Sequence, residues 1–290
     1  MSEYEESEIE ASRAPLMDHL VELRGRLIVC AAALAVGFAL CFAFANHIYL
    51  FLLEPFERAA DLMAVQKAGG AHGPFDLLLA LVGLKNIPHG PAETIKMVFT
   101  APLEFFFTKV KMAGFGAIVV TFPVLAFQLY RFVAPGLYKR ERKAFLPFLA
   151  ASPTLFLMGA ALVYFIMLPF VLWFSLSQQI IGGNGAVSVQ MLPKVSDYLT
   201  LVTTLLLAFG LCFQLPVVLA LLGMAGIVES KMLAAGRRYA IVGVFVVAAV
   251  LTPPDPVSMM SLAIPGVLLY EISIWCVRII ELRRKRNEAA

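Results

Sequence analysis

Four uncharged apolar runs in this chain are close to or beyond the length needed to cross a lipid bilayer. They leave few folds open. A spanning helix needs about 20 apolar residues, because the hydrocarbon core is about 30 Å thick. Leu27 to Ala45 and Met112 to Tyr130 are runs of 19. Phe145 to Phe174 is a run of 30, carrying Pro147, Pro153 and Pro169. Tyr198 to Val228 is a run of 31, interrupted by Gln214 and Pro216. In hydrocarbon every backbone polar group must be paired within the protein, so spans of this kind are helical. Two weaker segments follow: Tyr239 to Leu251, with 13 residues, and Val257 to Val277, with 21 and Glu271 inside it. The expected fold is an all-α, polytopic membrane protein of six transmembrane helices, the last two short.

Composition agrees. Of 290 residues, 60% are apolar and 15% charged, against roughly 25% charged in a soluble domain. The acidic start (Glu3, Glu5, Glu6, Glu8, Glu10) is unlike a cleavable signal or transit peptide and reads as a polar, unstructured tail. Cys30, Cys41, Cys212 and Cys276 fall in apolar runs without metal-ligand spacing, so they read as small apolar residues.

Basic residues orient the spans. Arg13, Arg24 and Arg26 precede the first. Lys139, Arg140, Arg142 and Lys143 sit in the connection after the second. Lys231, Arg237 and Arg238 follow the fourth, and Arg278, Arg283, Arg284, Lys285 and Arg286 close the chain. Both termini are therefore expected in the cytoplasm. The divisions are a polar tail at 1–18, a membrane domain at 19–278, and a basic tail at 279–290. The spans fall near 27–50, 108–133, 145–176, 197–223, 238–252 and 257–277. An outer loop at 55–102 carries an interfacial helix around Phe75–Leu84. At 13 residues the fifth apolar run covers only about 20 Å. Asp255, in the rigid turn Thr252-Pro253-Pro254-Asp255-Pro256, then lies at the outer surface and Glu271 near the inner boundary, where its charge is wet.

Two acids stand where topology asks for none. Glu22 lies in His19-Leu20-Val21-Glu22-Leu23-Arg24-Gly25-Arg26-Leu27, and Glu141 lies in Tyr138-Lys139-Arg140-Glu141-Arg142. Structural readings exist for both. Glu22 can pair with Arg26 at i,i+4, worth a few tenths of a kcal/mol, and Glu141 can offset Arg140 and Arg142. Pro55 reads as a stop for the first span. Glu104 reads as a cap for the second helix on the outer side. Gln214 is a polar group at membrane depth, with Thr203 or Thr204 as candidate partners.

Five motifs in order make this chain resemble the TatC family, the core of the twin-arginine protein translocase. They are the Glu22 segment; Ala101-Pro102-Leu103-Glu104-Phe105; Phe132-Val133-Ala134-Pro135-Gly136-Leu137 running into the Glu141 segment; Phe156-Leu157-Met158-Gly159 with Tyr164 and Pro169; and Leu251-Thr252-Pro253-Pro254-Asp255. The resemblance covers about Leu16 to Arg278. It implies a receptor, not an enzyme, in the bacterial cytoplasmic membrane, with no cofactor and no nucleic-acid partner. Its ligands would be signal peptides bearing two consecutive arginines. Glu22 and Glu141 match the family's signal-binding glutamates, and Arg24 and Phe132 match supporting positions. Guanidinium is a planar, permanently charged donor that carboxylates bind in a bidentate way, so the chemistry is consistent. Pro55, Glu104 and Asp255 match outer-face or supporting positions.

The resemblance further implies self-association and docking of single-span partners (TatA and TatB) on the fourth to sixth helices, with Gln214 and Thr252 as partner contacts. Export of folded cargo would be driven by the proton-motive force. The family often carries glutamate at the position of Gln214; glutamine keeps hydrogen bonding but cannot titrate, which argues against a proton relay there. Two other function classes fit poorly. A solute transporter predicts charged or broken helices meeting at the midplane, where little beyond Gln214 is polar. A hydrolase lacks His-Glu-x-x-His and Gly-x-Ser-x-Gly, and His19, His47, His72 and His89 are scattered. No nucleotide-binding glycine loop is present.

Overall fold

The computed structural model describes residues 3–67, 97–133, 146–179, 192–251 and 256–288. Their regular structure is helical: α1 Glu3–Ala43, α2 Ala45–Lys67, α3 Glu104–Val133, α4 Leu146–Leu162, α5 Leu168–Ser177, α6 Val195–Cys212, α7 Leu215–Met224, α8 Ser230–Ala235, α9 Arg237–Leu251 and α10 Pro256–Glu288, with a π-turn at Val163–Met167 joining α4 to α5. A single short bridge ties Val98 to Lys194 among these residues. Five stretches are long and apolar enough to cross a membrane: Leu20–Ala43, Glu104–Arg131, Ala150–Ser177, Val195–Met224 and Met259–Arg283. The protein is thus an all-helical, multi-span membrane protein.

Proline explains where the long spans bend. Pro169 and Pro216 have no N–H to give to the carbonyl four residues back. At Pro169 the chain widens into the π-turn and continues as α5. At Pro216 it breaks at Phe213–Gln214 and restarts as α7. Pro55 does neither, which corrects the expectation of a helix stop. It lies inside α2, which runs on to Lys67, and the break falls earlier, at Phe44. The physical reason is on a distant helix. The carbonyl that Pro55 cannot serve is that of Phe51, and the Tyr164 hydroxyl donates to it at 2.8 Å. The Tyr164 ring stacks on Phe51 at 4.5 Å, and Tyr198 donates to the next carbonyl, Leu52, at 2.8 Å.

Two further expectations change. The polar N-terminal segment is helical from Glu3; it is rich in Glu and Ala, which are good helix formers. The final helix is not short: α10 has 33 residues and passes well beyond 277, while α9 has 15. The extension is held by its neighbours. Ile280 packs beside Val217, Leu221 and Met224, and the backbone N–H of Ser230 donates to Glu281 at 2.6 Å. The expected interfacial helix around Phe75–Leu84 lies outside the described residues.

One core unites α2, the π-turn, α5 and α6 through Leu52, Phe56, Val163, Leu168, Leu199 and Val202, all almost fully buried. A second joins α3, α4 and α7 through Phe122, Phe156 and Leu221, with the Phe122 and Phe156 rings stacked at 4.0 Å. Among the described elements α1 packs chiefly along α3. Their backbones approach closely because a side chain is absent at the contact: a Cβ on Gly37 would fall 2.7 Å from Thr121, and one on Gly116 would fall 2.9 Å from the Cys41 sulfur. Small residues of this kind let membrane helices approach. This contact fixes the register of α1, and with it the position of Glu22.

Candidate functional site

The start of α1 and the end of α3 meet at one end of the bundle. Arg26 makes the junction. One guanidinium nitrogen pairs with the Glu22 carboxylate one turn back, and the other donates to the backbone carbonyl of Gln128 at 3.4 Å. Arg26 is largely covered, with a side chain 15% exposed, whereas that of Glu22 is 38% exposed. The Arg26 Nε is buried without a hydrogen-bond partner. The i,i+4 pairing expected from sequence therefore forms, and it does more than link two surface charges. It holds the acid against the last turns of α3, which also carry Arg131 and the backbone of Phe132. Arg24 is exposed on the same turn of α1.

These positions form a coherent acceptor for a cation. A carboxylate anchored on one edge by a covered arginine has lost most of its rotamer freedom, so a second guanidinium meets a preset geometry. Arg26 also sets a requirement: an incoming cation shares a carboxylate already partly neutralised, which favours planar bidentate donors over a point charge. The sequence shows Arg26 only as the i,i+4 partner of Glu22. The Gln128 carbonyl that makes it a strut is a backbone atom with no sequence signature. Glu141, the second expected acid, lies outside the described residues, as do Thr252 and Asp255.

Glu104 is built differently. It opens α3, and one carboxylate oxygen accepts from the backbone N–H groups of Thr100 at 2.8 Å and Ala101 at 3.1 Å and from the Thr100 hydroxyl at 3.1 Å. The other accepts from the Ser196 hydroxyl at 2.6 Å, with the Lys194 ammonium 3.7 Å away. The acid does open α3, but in place of capping its N–H groups it fastens the turn before the helix to the start of α6.

Gln214 is buried at the α6–α7 break, and its partner is neither Thr203 nor Thr204. Ser152 on α4 donates its hydroxyl to the Gln214 side-chain oxygen at 2.6 Å, and the Gln214 amide donates to the Ser152 carbonyl at 2.9 Å. Thr203 instead donates to the Leu199 carbonyl of its own helix. Beside this pair runs an apolar groove of about 390 Å³ lined by residues of α4, α7 and α10, among them Leu155, Val217, Leu268 and Ile272. Glu271, half-buried, meets Arg237 at the start of α9 through two contacts of 2.8 and 2.9 Å.

Comparison with known proteins identifies the family. The family model for the Sec-independent protein translocase protein TatC matches residues 18–265. A Sec-independent protein translocase protein TatC from Magnetococcus marinus is 40% identical over 278 residues, covering 96% of this chain and 89% of that protein. The protein of the same description from Escherichia coli K12 is 33% identical over 264 residues, covering 91% and 88%. A crystal structure of the twin arginine translocase receptor TatC superposes with a TM-score of 0.68 at 31% identity, covering 91% of this chain and 99% of that one. A second, in the detergent DDM, gives 0.69 at 32% identity, covering 89% and 98%. With the helical architecture and the order of its motifs, these matches make the chain a member of the TatC family of Sec-independent protein translocase proteins.

Proposed function

We propose that this protein is the signal-peptide receptor of a twin-arginine translocase. The family is one of translocase components and not of enzymes, so the work is recognition and assembly. Glu22 and Glu141 bind the paired arginines of a signal peptide at the cytoplasmic face, with Arg24 and Phe132 in support. The observation that carries this reading is the anchored, half-exposed Glu22 carboxylate at the α1–α3 junction. Surface acids on a cation-rich end are ordinarily weak, mobile ion pairs; a strut to a neighbouring helix gives this one a fixed direction.

The wider reading follows from the same family membership. The chain crosses the bacterial cytoplasmic membrane six times, α9 providing the fifth span, with both termini in the cytoplasm. At 15 residues α9 extends about 22 Å, so it thins the bilayer or is shielded by longer neighbours. Single-span partners resembling TatA and TatB dock near Gln214 and Thr252, receptor copies self-associate, and the proton-motive force drives export of folded cargo. Pro55, Glu104 and Asp255 support the outer face.

The receptor role is tested by photocrosslinking. A probe beside Glu141 is offered a signal peptide with its arginine pair, then the same peptide with two lysines. Crosslinking that needs the arginines and disappears in Glu141→Ala supports the reading. Equal crosslinking of both peptides, with transport intact in the variant, overturns it. The partner site is tested by Thr252→Leu: co-purification of the single-span partners should fall, and unchanged recovery removes Thr252 from it.

A further inference from the structure

The end of the bundle that carries Glu22 has a second charged feature, away from α1 and α3. α8, the start of α9 and the last turns of α10 enclose a pocket of about 440 Å³ lined by Lys231, Arg237, Arg278 and Glu281 with Ala234, Ile274 and Leu282. It shares that end because Val277 of α10 packs on Gly223 near the end of α7, whose Leu221 and Met224 join Tyr130 near the end of α3. Glu281 of the lining and Glu271 beside Arg237 are both engaged, and Glu229, just before α8, is exposed outside the lining. Glu271 holds Arg237. Glu281 accepts from the backbone N–H of Ser230 at 2.6 Å and from its hydroxyl at 2.5 Å. Lys231 and Arg278 are exposed and make no ion pair among the described residues. Three cations against two acids leave the pocket with a net charge of about +1, the complement of one phosphodiester.

Its depth points to the source of that phosphodiester. The apolar run of α10 ends at Val277 and its candidate span at Arg283, so Arg278 sits where the apolar part of the helix gives way to its charged end. From there an exposed apolar stripe runs back along α10 through Ile279, Trp275, Ile272, Leu268 and Ile264. Trp275 is 65% exposed one turn before Arg278, where an indole ring sits at a membrane–water boundary. Basic pockets between helices at this depth take anionic lipid headgroups. A soluble anion would have no use for the stripe.

We propose that Lys231, Arg237 and Arg278 form a binding site for the headgroup of an anionic phospholipid, its phosphodiester between Lys231 and Arg278 and its acyl chains along the Trp275 stripe. Bound lipid would tie α8, α9 and α10 together at the edge of the short α9. The site is independent of the signal-peptide reading, since none of its residues contacts Glu22 or Arg26.

The experiment uses the full chain purified in detergent and native mass spectrometry. The lipids are phosphatidylglycerol and phosphatidylcholine with the same acyl chains. Phosphatidylglycerol should be retained preferentially. The double variant Lys231→Gln, Arg278→Gln should weaken its retention about thirty-fold, from about five-fold per surface cation. A control that removes equal charge from the end of α10, Arg283→Gln with Arg286→Gln, should change it less than about three-fold, and Arg278→Lys should retain most of the binding. Equal retention of the two lipids overturns the site, and so does an equal loss in pocket and control variants. Complete displacement of phosphatidylglycerol by millimolar inorganic phosphate overturns the lipid assignment in favour of a free-anion site.

Discussion

The two ends of the bundle each carry a carboxylate at a helix junction, and the contrast separates two uses of the same group. Glu104 is surrounded. Four donors from Thr100, Ala101 and Ser196 fix both of its oxygens, and its side chain is only 8% exposed. Glu22 is held from one edge by Arg26, and its side chain is 38% exposed. A carboxylate whose acceptor capacity is filled by its own chain is a fastener. One that is oriented and yet reachable can recognise a partner. Neither residue type nor the presence of a nearby cation distinguishes them; the exposure does, 8% against 38%.

The largest expected effect reverses the charge at the open end. Glu22→Lys should lower affinity for a twin-arginine signal peptide by at least about a hundred-fold, since attraction becomes repulsion beside Arg26. Its melting temperature should fall by less than about 5 °C, because the carboxylate is 38% exposed although its partner Arg26 is largely covered. Peptide titration by fluorescence anisotropy and a thermal melt on one sample check both halves. A large loss of stability with binding retained would erase the contrast.

The closed end should behave in the opposite way. Glu104→Ala removes one acceptor from four donors at once and should lower the melting temperature by about 5 °C while leaving signal-peptide affinity within about two-fold. Between the ends, Gln214→Leu removes both hydrogen bonds that Gln214 makes to Ser152 and should cost about 1–3 kcal/mol. Gln214→Ala with Ser152→Ala should cost less than the sum of the single changes, a coupling that a double-mutant cycle reads directly. The smallest effect concerns the continuous helix through Pro55. Tyr164→Phe should cost about 1 kcal/mol by stranding the Phe51 carbonyl, and less in a Pro55→Ala background, where a backbone N–H returns to serve it.

These residues also mark where sequence reasoning stopped. Apolar run length located the five long stretches because the bilayer imposes that length, and the motif order identified the family. Local chemistry foresaw the Glu22–Arg26 pair, which lies within one helical turn. It failed wherever the deciding partner was distant in the chain. Pro55 reads as a stop until Tyr164, more than a hundred residues later, supplies the missing donor. Gln214 reads as a partner of Thr203 or Thr204 until Ser152 arrives from α4. The length of α10 exceeds its apolar run because Ser230 and the end of α7 hold the charged extension. Arg26 was visible as a neighbour of Glu22, but its role as a strut depends on a backbone carbonyl of α3.

The central claim is that Glu22 is an oriented acceptor for guanidinium and not one half of a surface ion pair. The most direct measurement is the ratio of affinities for twin-arginine and twin-lysine signal peptides, taken on the wild-type chain and on Glu22→Gln. The wild-type chain should prefer arginine by at least about ten-fold, and the ratio should collapse towards one in the variant, because glutamine keeps the shape but loses the bidentate charge. A preference that survives the substitution unchanged would contradict the account and leave Glu22 as a surface partner of Arg26.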